Sequence, residues 1–146
     1  MIEVDKTKPI IPALVDFDGT LVVHQYPVIG KENEHCIETM KQWTKDYNVG
    51  WILWTMRSDD LLQEAVDWIE GRGIKLYGIN RNPDQESWAA NTHKAYGYLC
   101  IDDINCGTPL IFETGKRPRV DWMSLKPRTE DWLKSIVKHS HRKISK

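Results

Sequence analysis

Two carboxylates, Asp16 and Asp18, stand where an apolar run ends, in the stretch Leu14-Val15-Asp16-Phe17-Asp18-Gly19-Thr20-Leu21. A second acidic pair, Asp102-Asp103, closes the run Leu99-Cys100-Ile101, and Thr55 closes a third run, Trp51-Ile52-Leu53-Trp54. Carboxylates grouped in this way can attack an electrophile, carry protons or hold a hard cation. Each group also has a purely structural reading. Asp16 and Asp18 would cap the turn before Gly19, Asp102-Asp103 would cap a helix or turn, and Thr55 would be a β-branched strand residue.

These side chains can act together only if their strands end in one place. The chain alternates strand-like and helix-like segments, the pattern of a parallel sheet covered by helices. Residues 11–17, 49–55, 74–79 and 98–101 read as buried strands, and residues 109–112 as a short fifth strand. Helical spacing over 34–47 places Ile37, Met40 and Tyr47 on one face. A second helix starts from Ser58 as N-cap, carries Leu62, Ala65 and Ile69, and stops near Gly71 and Gly73. A third helix is expected over about 85–96. Thr129 would cap a last one carrying Trp132, Leu133, Ile136 and Val137. The expectation is an α/β fold with a doubly wound parallel sheet in three layers, as one domain over residues 1–146. Ligands of such sheets bind at the carboxyl ends of the strands, which singles out residues 16–20, 55–57, 80–82 and 102–107.

At those positions the sequence resembles the haloacid dehalogenase superfamily, whose phosphatases share four motifs. DxDGT is matched by Asp16 to Thr20, and the Thr closing an apolar strand by Thr55. The Lys shortly before the fourth strand is matched by Lys94, and the acidic pair closing that strand by Asp102-Asp103. The resemblance implies a Rossmann-like core of strand order 3-2-1-4-5 and a Mg²⁺-dependent phosphohydrolase. It casts Asp16 as the nucleophile that forms an aspartyl-phosphate and Asp18 as the acid and base for leaving group and water. Thr55 and Lys94 would hold the phosphate oxygens. The implied Mg²⁺ ligands are Asp16, the backbone carbonyl of Asp18 and Asp103, with Asp102 assisting. Gly19, Thr20, His24 and Arg57 are the further substrate-side candidates. Lys94 also reads as a solvated helix lysine; Arg57, Asn80 and Arg81, at strand ends, would bind a second phosphate or a polar leaving group, or else read as solvated surface residues. Dehalogenation fits less well, because an alkyl halide needs no acid at position 18.

Family members of larger size carry a cap domain after the first motif or between the second and third. Here 36 residues separate Asp18 from Thr55 and 38 separate Thr55 from Lys94. Helices and strands consume both gaps, leaving no room for an inserted domain. A capless, open site is expected, closed if at all by a neighbouring copy in a homo-oligomer.

The apolar fraction of 40% and charged fraction of 28% are those of a soluble globular chain, without the roughly 20-residue apolar run of a membrane span. With no signal-peptide order at the N-terminus, a cytoplasmic location is expected. Cys36, Cys100 and Cys106 lack metal-ligand spacing and are expected to be reduced thiols. The net charge of −1 conceals a basic end, since residues 126–146 hold seven Lys or Arg against Glu130 and Asp131. The expected partner is a phosphorylated small molecule or nucleotide. Two other functions fit the same residues: a module that binds a nucleotide or phosphorylated signal without turnover, and a phosphatase of nucleic-acid ends that uses the basic tail.

Overall fold

Five apolar residues, β1 (Ile11–Val15), run through the interior of a four-stranded parallel sheet. The other strands are β2 (Val49–Leu53), β3 (Gly78–Ile79) and β4 (Leu99–Ile101), and the order is β3-β2-β1-β4. The computed structural model describes the backbone of residues 1–144 and the side chains of residues 1–139. The basic positions 142, 143 and 146 of the expected tail lie outside the described side chains.

Register decides what the sheet can present. Val15 pairs with Leu53 on one side and Ile101 on the other, and Leu53 pairs with Ile79. All four strands therefore end on one level, and the residues that follow them emerge side by side. The ladder runs one step further, with Asp16 N–H donating to Ile101 O (2.9 Å), Trp54 N–H to Val15 O (2.8 Å) and Asn80 N–H to Leu53 O (2.7 Å).

Alternate residues of a strand face opposite sides. Ile11, Ala13 and Val15, with Val49, Trp51 and Leu53, join one large core with α1 (Cys36–Tyr47), α2 (Asp59–Glu70) and α4 (Trp122–Ile144). Its centre is tryptophan: Trp43 stacks on Trp51 at 6.1 Å and lies 6.1 Å from Trp122. Truncating any one of these would cost ~3–5 kcal/mol. Trp51 Nε1 donates to Met40 O at 3.1 Å, which satisfies its polar atom in the core. Cys36 is buried there as a small hydrophobe, its thiol pushed up to about 12 by burial. Leu14 and Ile52 face the other way and meet Ala95, Trp54 and Tyr77. Gly50 permits this, since a Cβ there would lie 2.8 Å from the Tyr77 ring.

That second face is thinner than the expected third layer. The helix expected over 85–96 is only α3 (Gln85–Ala89), followed by a turn and a stretch at 92–97 that is neither helix nor strand. Two buried amides hold the stretch open. Asn82 exchanges hydrogen bonds with the backbone of Tyr96, at 2.8 and 2.7 Å. Gln85 Nε2 donates to Thr92 O and Lys94 O at 3.1 and 3.2 Å. Backbone groups committed to these side chains cannot continue a helix.

The fifth strand also departs from expectation. β5 (Leu110–Ile111) does not extend the sheet but pairs antiparallel with β6 (Arg119–Val120). β6 is tied elsewhere: Val120 N–H donates to Gly19 O at 2.9 Å, and Arg119 is buried against Asn33 and Glu113 at 3.1 Å each. β4 is thus an edge strand of three residues, where Cys100 is exposed rather than enclosed. The last helix begins earlier than Thr129. Asp121 caps it by accepting from Ser124 N–H at 3.2 Å, and the Thr129 hydroxyl donates back to Leu125 O from within the helix. Ser58 occupies the N-cap position of α2 with no hydrogen bond from its hydroxyl to the helix.

Candidate functional site

The common level of the strand ends places Asp16, Thr55, Asn80 and Asp102 around one cavity of about 800 Å³. Asp103 follows at the end of β4, and the loop 16–22 folds so that Phe17 O accepts from Leu21 N–H at 2.9 Å. Gly19 makes the turn at φ +85, and a Cβ there would stand 2.7 Å from Asp103 Oδ2. Glycine is required on both counts.

Oxygens of Asp16, Asp102 and Asp103 lie within 4.8 Å of one another. Thr20, fully buried, donates its hydroxyl to Asp16 Oδ2 at 2.9 Å, and Ile104 N–H donates to Asp102 Oδ1 at 3.1 Å. Burial, and then the Asp102 charge, push the Asp16 carboxyl up to about 8; the Thr20 hydroxyl opposes the shift. Asp102 is raised as well, chiefly by burial. Three clustered carboxylate oxygens without a lysine or arginine ion pair among the described residues form a hard, oxygen-only donor set, which fits Mg²⁺.

Asp18 lies outside this trio. Both its oxygens accept from Arg57, Oδ2 from Nε and Oδ1 from Nη2, each at 2.8 Å. Arg57 is no solvated surface residue: its side chain is 1% exposed, lies 5.1 Å from the Phe17 ring and 5.2 Å from the Tyr26 ring, and donates to Pro27 O at 3.2 Å. Burial forces it to find acceptors, and Asp18 with the flap carbonyls supplies them.

The flap is residues 24–30, closed at its base by Val23 N–H to Lys31 O and Asn33 N–H to Leu21 O, both 2.8 Å. His24 and Tyr26 project from it into the cavity. Opposite, the hairpin between β5 and β6 sends in Arg117, whose Nη1 meets His24 Nε2 at 2.9 Å.

Thr55 lines the cavity in a fixed pose. Its N–H donates to Asn80 Oδ1 at 2.8 Å, and its hydroxyl oxygen accepts from Arg57 N–H at 3.1 Å, so the hydroxyl hydrogen is left for a ligand. Asn80 holds a left-handed conformation, φ 53. Four of the expected substrate contacts, Lys94, Gly19, Thr20 and Arg81, are engaged elsewhere or lie outside the cavity lining. Lys94 is exposed on the stretch at 92–97 and does not line the cavity; His93, one residue earlier, does. Ala95 anchors that stretch on Leu14 and Ile52, while Lys94 beside it is exposed. Gly19 N–H is spent on Val22 O at 2.8 Å and Thr20 N–H on Phe17 O at 3.2 Å, so neither offers an amide to substrate. Arg81 is bound to Glu86 at 3.0 Å and lies outside the cavity lining. Trp54, expected in the core, is half-buried and lines the site.

His93 and the pairing of Arg117 with His24 escape a sequence reading, because contacts across 93 residues leave no local pattern. Asn80 carried one signal, its place just after a strand.

No family model matches the chain, and no curated protein matches it. The solved structure of a conserved protein coded by a locus of Bacteroides thetaiotaomicron is similar, with a TM-score of 0.67 and 32% identity over 84% of this chain and 92% of that one.

Proposed function

We propose that this chain, which belongs to one family with that conserved Bacteroides protein, is a Mg²⁺-dependent phosphohydrolase of the haloacid dehalogenase type acting on a phosphomonoester. The observation that carries the reading is the trio Asp16, Asp102 and Asp103 gathered at level strand ends, with the Thr20 hydroxyl turning Asp16 into the cavity. Those three carboxylates would hold the cation, which supplies charge screening between a carboxylate and a phosphate dianion. Asp16 attacks phosphorus; the bond to the leaving oxygen breaks, and Asp18 gives that oxygen a proton. Asp18 then takes a proton from the water that attacks the aspartyl-phosphate, releasing inorganic phosphate and regenerating Asp16. Thr55 donates its hydroxyl to a phosphate oxygen throughout, and Asn80 holds Thr55 in place. Arg57 must yield one of its two hydrogen bonds before Asp18 can carry a proton, which makes Arg57 a positioning residue.

That same pairing favours a second reading, a module that binds a phosphorylated ligand and does not turn it over. Phosphate release from a panel of phosphomonoesters, nucleotides and 3′- or 5′-phosphorylated oligonucleotides, with Mg²⁺ and after chelation, decides between them. Metal-dependent release supports the hydrolase; tight binding without release supports the module. Full activity in excess chelator ends the Mg²⁺-dependent hydrolase. No helix among the described residues is long and apolar enough to cross a membrane.

A further inference from the structure

Arginine side chains in folded proteins seek carboxylates, and most here have one. Arg57 pairs with Asp18, Arg72 with Glu32, Arg81 with Glu86 and Arg119 with Glu113. Arg117 is held instead against another basic side chain, with Nη1 2.9 Å from His24 Nε2. A guanidinium can only donate, so His24 Nε2 is the acceptor in this contact. Glu113, the acid of the same hairpin, is occupied by Lys116 at 2.8 Å and Arg119 at 3.1 Å. Arg117 thus lines the cavity with no carboxylate partner among the described residues, and an imidazole nitrogen is a weaker acceptor for it than a carboxylate or phosphate.

The position of this pair gives it meaning. His24 stands on the flap whose Pro27 carbonyl accepts from Arg57, and Arg57 holds Asp18. The pair lines the same cavity as Asp18, and a leaving group protonated by Asp18 must stand in that cavity. From this we infer that Arg117 and His24 form a second anion subsite, so that the preferred substrate is a phosphomonoester whose leaving group carries its own phosphate or carboxylate. The inference rests on the phosphate reading of the carboxylate trio. The incoming anion would replace His24 as the acceptor for Arg117, trading an imidazole nitrogen for an anionic oxygen.

Phosphonates test this without turnover, because their carbon–phosphorus bond is not hydrolysed. Binding of phenylphosphonate, 4-carboxyphenylphosphonate and benzene-1,4-diphosphonate to the Mg²⁺-loaded protein is measured by calorimetry. Wild type should bind at least one of the two larger anions on the order of tenfold more tightly than phenylphosphonate, the worth of a solvent-accessible charge-assisted hydrogen bond. Which of the two gains more tells whether the second anion is a carboxylate or a phosphate. Arg117→Gln should bring the ratio close to one, and Arg117→Lys should keep part of it. Equal affinities in wild type, or a preference that survives in Arg117→Gln, overturns the subsite. Failure of all three to bind overturns it together with the phosphate reading. A preference without hydrolysis of the matching phosphates keeps the subsite and removes only the hydrolase.

Discussion

Arg57 grips both carboxylate oxygens of Asp18 at 2.8 Å from a side chain that is itself 1% exposed. Removing one partner of such a pair strands the other, a far larger loss than the pair's own net worth. Arg57→Ala should therefore lower stability by about 3 kcal/mol, read as a shifted denaturant midpoint. Arg57→Ala combined with Asp18→Asn should recover part of the loss. A single variant as stable as wild type would show that the pair does not bear on the folded state.

Asp16 should make the metal-free protein sensitive to alkali. Its carboxyl is raised to about 8, so the folded chain retains a proton that the unfolded chain releases near pH 4. Stability should fall as pH rises across that window, from about 4 to about 8, and Asp102 adds in the same direction. Asp16→Asn removes the largest part, so the variant should exceed metal-free wild type at pH 8 by on the order of a few kcal/mol. The two should converge near pH 4. Denaturation midpoints that stay flat in wild type, or move in parallel in both proteins, contradict the assignment. In activity, the same variant should fall to background.

Mg²⁺ should raise the melting temperature, since a ligand of the folded state alone adds about 2.7 kcal/mol at a hundred times its dissociation constant. Asp103→Asn should abolish most of that shift. Ca²⁺ should shift melting yet support turnover poorly, its looser coordination misplacing Asp16. A metal response unchanged in Asp103→Asn would move the cation elsewhere.

Asn80 separates strain from positioning. Asn80→Gly relaxes the φ of 53 but deletes the acceptor for Thr55 N–H, so stability should change little while turnover drops. Asn80→Ala should lose about 1–2 kcal/mol more than the glycine variant, because an L side chain pays for the left-handed backbone. If Asn80→Gly is fully active, Thr55 needs no such support.

The site residues that close a strand were legible in the sequence, and those that depend on distant packing were not. Asp16, Thr55, Asp102 and Asp103 announce themselves because each closes an apolar strand, and level registers follow once those strands pair. Arg57 looked like a solvated residue because the carboxylate that buries it lies 39 positions away. Lys94 looked like a phosphate ligand because the helical pattern over 85–96 hides the competition from Asn82 and Gln85, whose amides claim the backbone of 92–96. β5 looked like a fifth sheet strand because its apolar residues do not reveal that Arg119, next to Val120, is bound to Asn33 across 86 positions.

The backbone oxygens of Gly19 and Thr20 are held by Val120 N–H at 2.9 Å and Trp122 Nε1 at 2.9 Å, a link spanning 102 residues in the second case. On a ribosome these two partners emerge long after the loop they hold. The sheet can pair earlier, since β4 ends at Ile101, but the loop that aims Asp16 waits for closure of a very long contour. A nascent chain can thus pair its strands before the loop that carries Asp16 is tied down, and before the core gains Trp122 and the rest of α4.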